Sequence, residues 1–139
     1  MVNILIILGT IRSFNYQGIF EQSASQGTSG GHKLMNLAVQ GNFAAGVRLN
    51  SRNSMVKDCI FSGNGKSGIV CQSTTTITNC VSYDNDDYGI WAGNTCYRNT
   101  GYGIDPGANS LVIDNTAISN TAGNIDTCLL CNSDRNEDS

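Results

Sequence analysis

NGKSGI at residues 64–69 and NDDYGI at residues 85–90 lie 21 positions apart and share one pattern: an Asn, a short spacer, a Gly and an Ile. Working outward, the pattern recurs at Asn15 and Gly18, Asn42 and Gly46, Asn99 and Gly103, and Asn120 and Gly123. The residues after Gly are Ile19, Val47, Ile69, Ile90 and Ile104; the last unit departs, with Asn124 and then Ile125. Successive Gly spacings are 28, 22, 21, 14 and 20. A second line precedes each Asn by five or six residues: Gly9, Asn36, Asp58, Asn79, Asn94 and Asn115. Two positions before that stand Leu34, Val56, Ile77, Ala92 and Ile113.

A repeat of this length, with short β-branched runs between turn residues, is one coil of short strands. A single coil cannot bury its apolar side, so coils must stack. Stacking places Val47, Ile69, Ile90 and Ile104 in one inward column and Leu34, Val56, Ile77 and Ile113 in another. The Asn column suits the turns, because Asn tolerates left-handed backbone angles, and stacked amides can bond from coil to coil. Gly at the next corner permits a tight bend. Leucine-rich repeats need a Leu-x-x-Leu-x-Leu run that is missing, and left-handed hexapeptide helices need a six-residue period that is not seen. The expected fold is all-β: a right-handed parallel β-helix of about five coils, one truncated.

Boundaries follow from the repeat: an N-terminal strand and cap region at 1–31, coils at 32–126 and a tail at 127–139. The first region carries a Ser-, Gly- and Gln-rich insertion around Glu21–Gly31, which reads as a projecting loop. The 14-residue interval between Gly89 and Gly103 lacks the segment between Ala92 and Asn94. It cannot trace the perimeter that 21 residues trace elsewhere.

Composition limits the partners. Charged residues are 14% of the chain, the net charge is −3 and the pI is near 4.8. Scattered basic residues on an acidic chain argue against nucleic acid. The apolar run Ile4–Leu8 is too short to span a bilayer. It also lacks the flanks of a secretory signal, so it is expected to be a buried first strand. No Asn-x-Ser/Thr acceptor occurs. Of six cysteines, Cys59 and Cys80 lie 21 residues apart and are expected to stack inward as free thiols. Side-by-side Cβ vectors fit a disulfide poorly. Cys128 and Cys131 have the spacing of half a zinc site or a redox pair, but no further ligands lie nearby in sequence and the strand-helix context of a redox pair is missing, so they read as incidental or capping residues.

Gly-Ile-Val-Cys at 68–71, Thr-Asn-Cys-Val-Ser-Tyr-Asp-Asn at 78–85, Gly-Tyr-Gly-Ile-Asp-Pro-Gly at 101–107 and Asp-Asn-Thr-Ala-Ile-Ser-Asn at 114–120 resemble repeats of the pectate-lyase-like superfamily. That superfamily holds polysaccharide lyases, hydrolases, epimerases, tail spikes and non-catalytic surface proteins, so its fold does not decide the function. The resemblance implies an extracellular or cell-surface setting and a polysaccharide or oligosaccharide partner.

If the residue after each Gly points inward, the next points outward. That column is Phe20, Arg48, Val70, Trp91 and Asp105. Tyr88 and Tyr102 form a column just before Gly, and Tyr83 and Tyr97 stand two residues before their Asn. Aromatic rings beside carboxylates and an Arg suit a sugar, whose apolar face stacks while its hydroxyls bond. Arg48, Tyr88, Trp91, Tyr97 and Tyr102 are therefore the candidate substrate-binding residues. Tyr102-Gly-Ile-Asp105-Pro-Gly107 also resembles the Tyr-Gly-Phe-Asp-Pro-His motif of mannuronan C5-epimerases. The resemblance implies catalytic roles for Tyr102 and Asp105, but Gly107 replaces the His that completes the acid/base pair. Asp84, Asp86 and Asp87 on one turn, with Arg98 on the next coil, are a candidate Ca²⁺ set of the kind superfamily lyases use. The readings that remain are a polysaccharide-binding or polysaccharide-modifying module and a structural solenoid that associates with itself.

Overall fold

The computed structural model describes residues 4–22, 30–51, 53–71, 75–90, 94–104, 111–113, 116–125, 132–134 and 137–138. No helix occurs among them. The strands are β1 (Leu5–Arg12), β2 (Ile19–Phe20), β3 (Lys33–Gln40), β4 (Val47–Leu49), β5 (Met55–Lys57), β6 (Ile60–Ser62), β7 (Ile69–Cys71) and β8 (Thr76–Thr78). They continue as β9 (Cys80–Tyr83), β10 (Asn94–Tyr97), β11 (Tyr102–Ile104), β12 (Leu111–Ile113), β13 (Thr116–Ile118), β14 (Gly123–Ile125), β15 (Asn132–Asp134) and β16 (Glu137–Asp138).

Every pairing is parallel, and the coils have three sides. The long strands β1 and β3 bend, so each serves two sides. On the first side, Leu34 pairs with Val56 and Val56 with Ile77 along β3, β5 and β8, while β12 pairs with β15 farther up. The second side runs β1, β3, β6, β9, β10, β13, β16. The third runs β2, β4, β7 and, beyond the bridge between Ile90 and Ile104, β11 and β14.

The inward columns fall where the periodicity puts them. Val47, Ile69, Ile90 and Ile104 are buried, as are Leu34, Val56 and Ile77; the side chain of Ile113 and all of Ala92 lie outside the described residues. Val39, Phe61, Ser82 and Ala117 fill the second side. Cys59 and Cys80 are buried free thiols one rung apart. A hydrogen bond from the Cys80 thiol lowers the Cys59 pKa and raises that of Cys80.

Five details differ from the sequence reading. The ladder Asn residues do not themselves adopt left-handed angles. Those fall one residue earlier, at Ser13, Gly41, Gly63, Asp84, Arg98 and Ser119, and at a second corner formed by Leu8, Asn36, Asp58 and Asn79. Gly18, Gly46, Gly68 and Gly103 serve close approach rather than bending: a Cβ on Gly46 would lie 2.6 Å from the Gly68 carbonyl oxygen. In the first coil, Phe14 rather than Asn15 holds the ladder position, its N–H donating to Asn42 Oδ1. Leu8 rather than Gly9 stands beside Asn36, because Gly9 pairs with Leu37. Asn94 pairs with Cys80, one residue beyond Asn79. In β1 the register follows the partial burial of Ile6 and Ile11 instead of the match between residue types.

The first strand is also not buried. Ile6 and Ile11 pack against the core, but Ile4, Leu5, Ile7 and Leu8 are exposed, because among the described residues β1 pairs only with β3. At the other end, β15 and β16 carry the ladders past residue 126, with Leu111 on Asn132 and Thr116 on Glu137. Most of the insertion, residues 23–29, lies outside the described residues, as do Cys128 and Cys131.

Candidate functional site

Asn42, Asn64, Asn85, Asn99 and Asn120 form a continuous amide ladder. Each Nδ2 donates to the next Oδ1, at 2.9, 2.8, 3.0 and 2.9 Å, and each backbone N–H donates to the same oxygen. Asn124 accepts both bonds from Asn120. The four lower members are buried, so the ladder satisfies polar groups that would be costly alone.

The candidate site is built on the step from Asn85 to Asn99. Here the turn Tyr83–Tyr88 lies on the turn Tyr97–Tyr102, residue upon residue. Tyr83 pairs with Tyr97 across β9 and β10. Arg98 donates to both oxygens of Asp84, at 2.8 and 2.7 Å. These bonds hold the Asp84 carboxyl below its usual pKa. The amides of Thr100 and Gly101 donate to the carbonyls of Asn85 and Asp87. Gly101 is required by contact: a Cβ there would lie 2.8 Å from the Tyr88 nitrogen. The step ends in the Tyr88 and Tyr102 rings, stacked at 6.2 Å between centroids and 5° between planes. One rung on, Gly123 replaces a side chain that would meet Tyr102 Cε1 at 2.8 Å.

The structure brings together Tyr88, Tyr102, Asp86 and Asp87, with the backbone of Tyr97 on the same step. Asp86 is exposed, and Asp87 accepts a 3.2 Å bond from Ser67 Oγ. Arg48 does not join them. It is exposed in the expected outward column, but the Val70 rung stands between it and the coil of Tyr88. Trp91 and Asp105 lie outside the described residues. The three aspartates form no common metal set: Asp84 faces Arg98, and no three metal-ligating side chains converge among the described residues.

A second polar cluster carries no sequence signal beyond two charged residues flanking a polar insertion. Glu21 Oε2 accepts from the amides of Asn50 and Ser51, both at 2.9 Å, and from Ser51 Oγ at 2.8 Å. Its other oxygen lies 3.1 Å from His32 Nε2. Because His32 Nδ1 accepts from the Ile4 amide at 3.1 Å, Nε2 carries the proton. Burial works to raise the Glu21 pKa, but the bonds from Ser51 and His32 outweigh it and hold the carboxyl below its usual value. The cluster clamps the base of the insertion and occupies the chain's single histidine.

The chain matches the family model of the right-handed β-helix region over residues 3–136. The chain belongs to the right-handed β-helix family. The match spans both end regions as well as the central repeats, and it fixes the hand of the solenoid. No curated protein and no solved structure matches the chain.

Proposed function

We propose that this β-helix is a polysaccharide-binding module, and that its contact face is the double turn Tyr83–Tyr88 and Tyr97–Tyr102. Family membership supports a carbohydrate-related or a structural domain. The single observation that favours carbohydrate is the parallel Tyr88–Tyr102 pair beside the partly exposed Asp86–Asp87 turn. Aromatic side chains take the apolar faces of sugars, and neighbouring carboxylates take their hydroxyls. The amide ladder joins the two layers of the double turn through the bonds from Asn85 to Asn99. A preorganised face loses little entropy on binding. The modifying reading has less support: Tyr102 and Asp105 match an epimerase motif, Gly107 stands at its His, and His32 is engaged by Glu21. Binding without chemistry is therefore the reading adopted.

Each aromatic contact contributes only about 1 kcal/mol, so affinity grows with oligosaccharide length. The test titrates neutral and acidic oligosaccharides of increasing length against intrinsic fluorescence. Wild type, Tyr88→Ala and Tyr102→Ala are compared. Length-dependent binding that both variants lose supports the reading. Unchanged spectra at millimolar ligand in every series reject it in favour of the structural reading.

A further inference from the structure

We propose that the stacked thiols of Cys59 and Cys80 are a two-coordinate site for a soft monovalent cation, with Cu(I) as the ion that suits it.

The first observation is that the two sulfurs repeat by translation. Cys59 and Cys80 lie opposite one another at the start of β6 and β9, since Ile60 pairs with Val81 and the Val81 amide donates to the Cys59 carbonyl. Cys59 Sγ lies 3.1 Å from the Lys57 carbonyl oxygen and 3.8 Å from that of Leu34. One coil on, Cys80 Sγ lies 3.3 Å from the Thr78 oxygen and 3.9 Å from that of Val56. Equivalent contacts mean equivalent rotamers, so one sulfur stands above the other. Neighbouring strands are about 4.8 Å apart. Two metal–thiolate bonds laid end to end, each about 2.3 Å, span about 4.6 Å. A disulfide instead needs its sulfurs about 2 Å apart and its Cβ atoms turned across the bond. The spacing suits an ion between the sulfurs better than a bond between them.

The second observation is the surroundings. Cys59 and Cys80 are 1% and 2% exposed in the apolar core, and buried Leu37 stands one rung below Cys59. The Asp58 carboxylate is engaged at the surface: it accepts from Asn79 Nδ2 at 2.6 Å and lies 3.9 Å from Lys57 Nζ. Among the described residues no three metal-ligating side chains converge, so zinc, which takes four ligands, finds too few. Thiolates select soft ions such as Cu(I), and two sulfurs satisfy that ion.

The third observation is charge. An uncompensated charge in an apolar core is costly. Here one proton is exchanged for one cation. Cys59 releases its proton, its thiolate and the Cys80 sulfur take Cu(I) between them, and Cys80 keeps its proton. The core gains no net charge. Cys59 ionises first, because the Cys80 thiol donates a hydrogen bond to it, and the same bond with burial makes Cys80 the harder to ionise. A divalent ion has to displace both protons, so the pair favours a monovalent one.

Competition for Cu(I) with the chelator bicinchoninate, on the full chain without oxygen, tests this. The chain carries Cys128→Ser and Cys131→Ser, because that pair has the spacing to hold a soft ion by itself. The expected result is one tightly held Cu(I) per chain, with two sulfur neighbours and no nitrogen or oxygen neighbour by X-ray absorption. Cys59→Ala and Cys80→Ala should each weaken binding by about a hundredfold or more, since either leaves one thiol. Cys59→Val, which keeps the core filled, should lose binding equally, so the loss is not one of folding. Cys71→Ala and Cys96→Ala should bind as before. A chain that yields all its Cu(I) to the chelator would overturn the proposal, leaving the two thiols as ordinary core residues. So would Cu(I) retained by Cys59→Val, or retention that depends on Cys71 or Cys96.

Discussion

Two neighbouring steps of the same ladder close with different lengths of chain: Asn64 reaches Asn85 after 21 residues, and Asn85 reaches Asn99 after 14. The amide bonds are alike, at 2.8 and 3.0 Å. The pairing on the second side is continuous through β9 and β10, and Ile90 still meets Ile104 on the third. Among the described residues only the first side is interrupted: β8 ends its sheet, and β12 begins another with β15. The register of the solenoid is thus carried by the ladder and the two sides that flank it. The first side can be skipped, because its strands contribute apolar burial without organising the turn. The skip lies beside the tyrosine double turn, so the least regular part of the solenoid adjoins the candidate site.

The largest effect should come from Ile69→Asp or Ile104→Asp, one on each side of the short step. An unpaired buried charge costs more than a small domain has to spare, so neither variant should show a cooperative melt by circular dichroism. If Ile104→Asp melts like wild type, the core does not continue past the short coil.

Asn85→Ala should follow, because Asn85 takes part in both steps. It accepts from Asn64 and donates to Asn99, Ser82 and the Phe61 carbonyl. Several buried groups would lose partners at once, for a loss of about 3–5 kcal/mol. Asn42→Ala, where the first coil offers only the Phe14 amide below, should cost about 1–2 kcal/mol. Urea titration compares them; equal losses would mean that the ladder is not what joins the two steps.

The inward columns and the tyrosine columns were legible because each repeats a residue type at a fixed offset from Gly. Ile69, Ile90 and Tyr88 could be placed without coordinates for that reason. Positions where the residue type changes were not legible: Phe14 stands where other coils use Asn, and Leu8 stands where they use Asn or Asp. Matching letters pointed to Asn15 and Gly9, whereas the pairing of Ile6 with Leu34 and Ile11 with Val39 settles the register. The Asp84–Arg98 pair depends on the skip, which brings residues 14 apart into contact. The Glu21 cluster joins residues of different coils around an insertion, and no periodicity reports such a contact.

Away from the short step, acid should act through Glu21. Its folded pKa lies below the ordinary carboxylate value, so its contribution is present above that ordinary value and is lost as pH falls through the folded one. Glu21→Gln should be less stable at neutral pH, and the difference from wild type should shrink as pH falls below about 4.5. Melts between neutral and acid pH check the sign; a difference that widens in acid would contradict it. The smallest effect should be Arg98→Gly. The ion pair with Asp84 is exposed and contributes little, while φ 52° suits Gly better than Arg. Its melting temperature should stay close to that of wild type, and a large drop would mean that this pair, rather than the ladder, holds the double turn.

The most direct test of the account is the nuclear Overhauser pattern of the Asn85 side-chain amide in solution. A continuous ladder gives a slowly exchanging amide with contacts to the Asn99 side chain and to Ser82, together with contacts between the Tyr88 and Tyr102 rings. Contacts from Asn85 to Asn94 instead, with none to Asn99, would place the short coil in another register and contradict both the continuous ladder and the double-turn site.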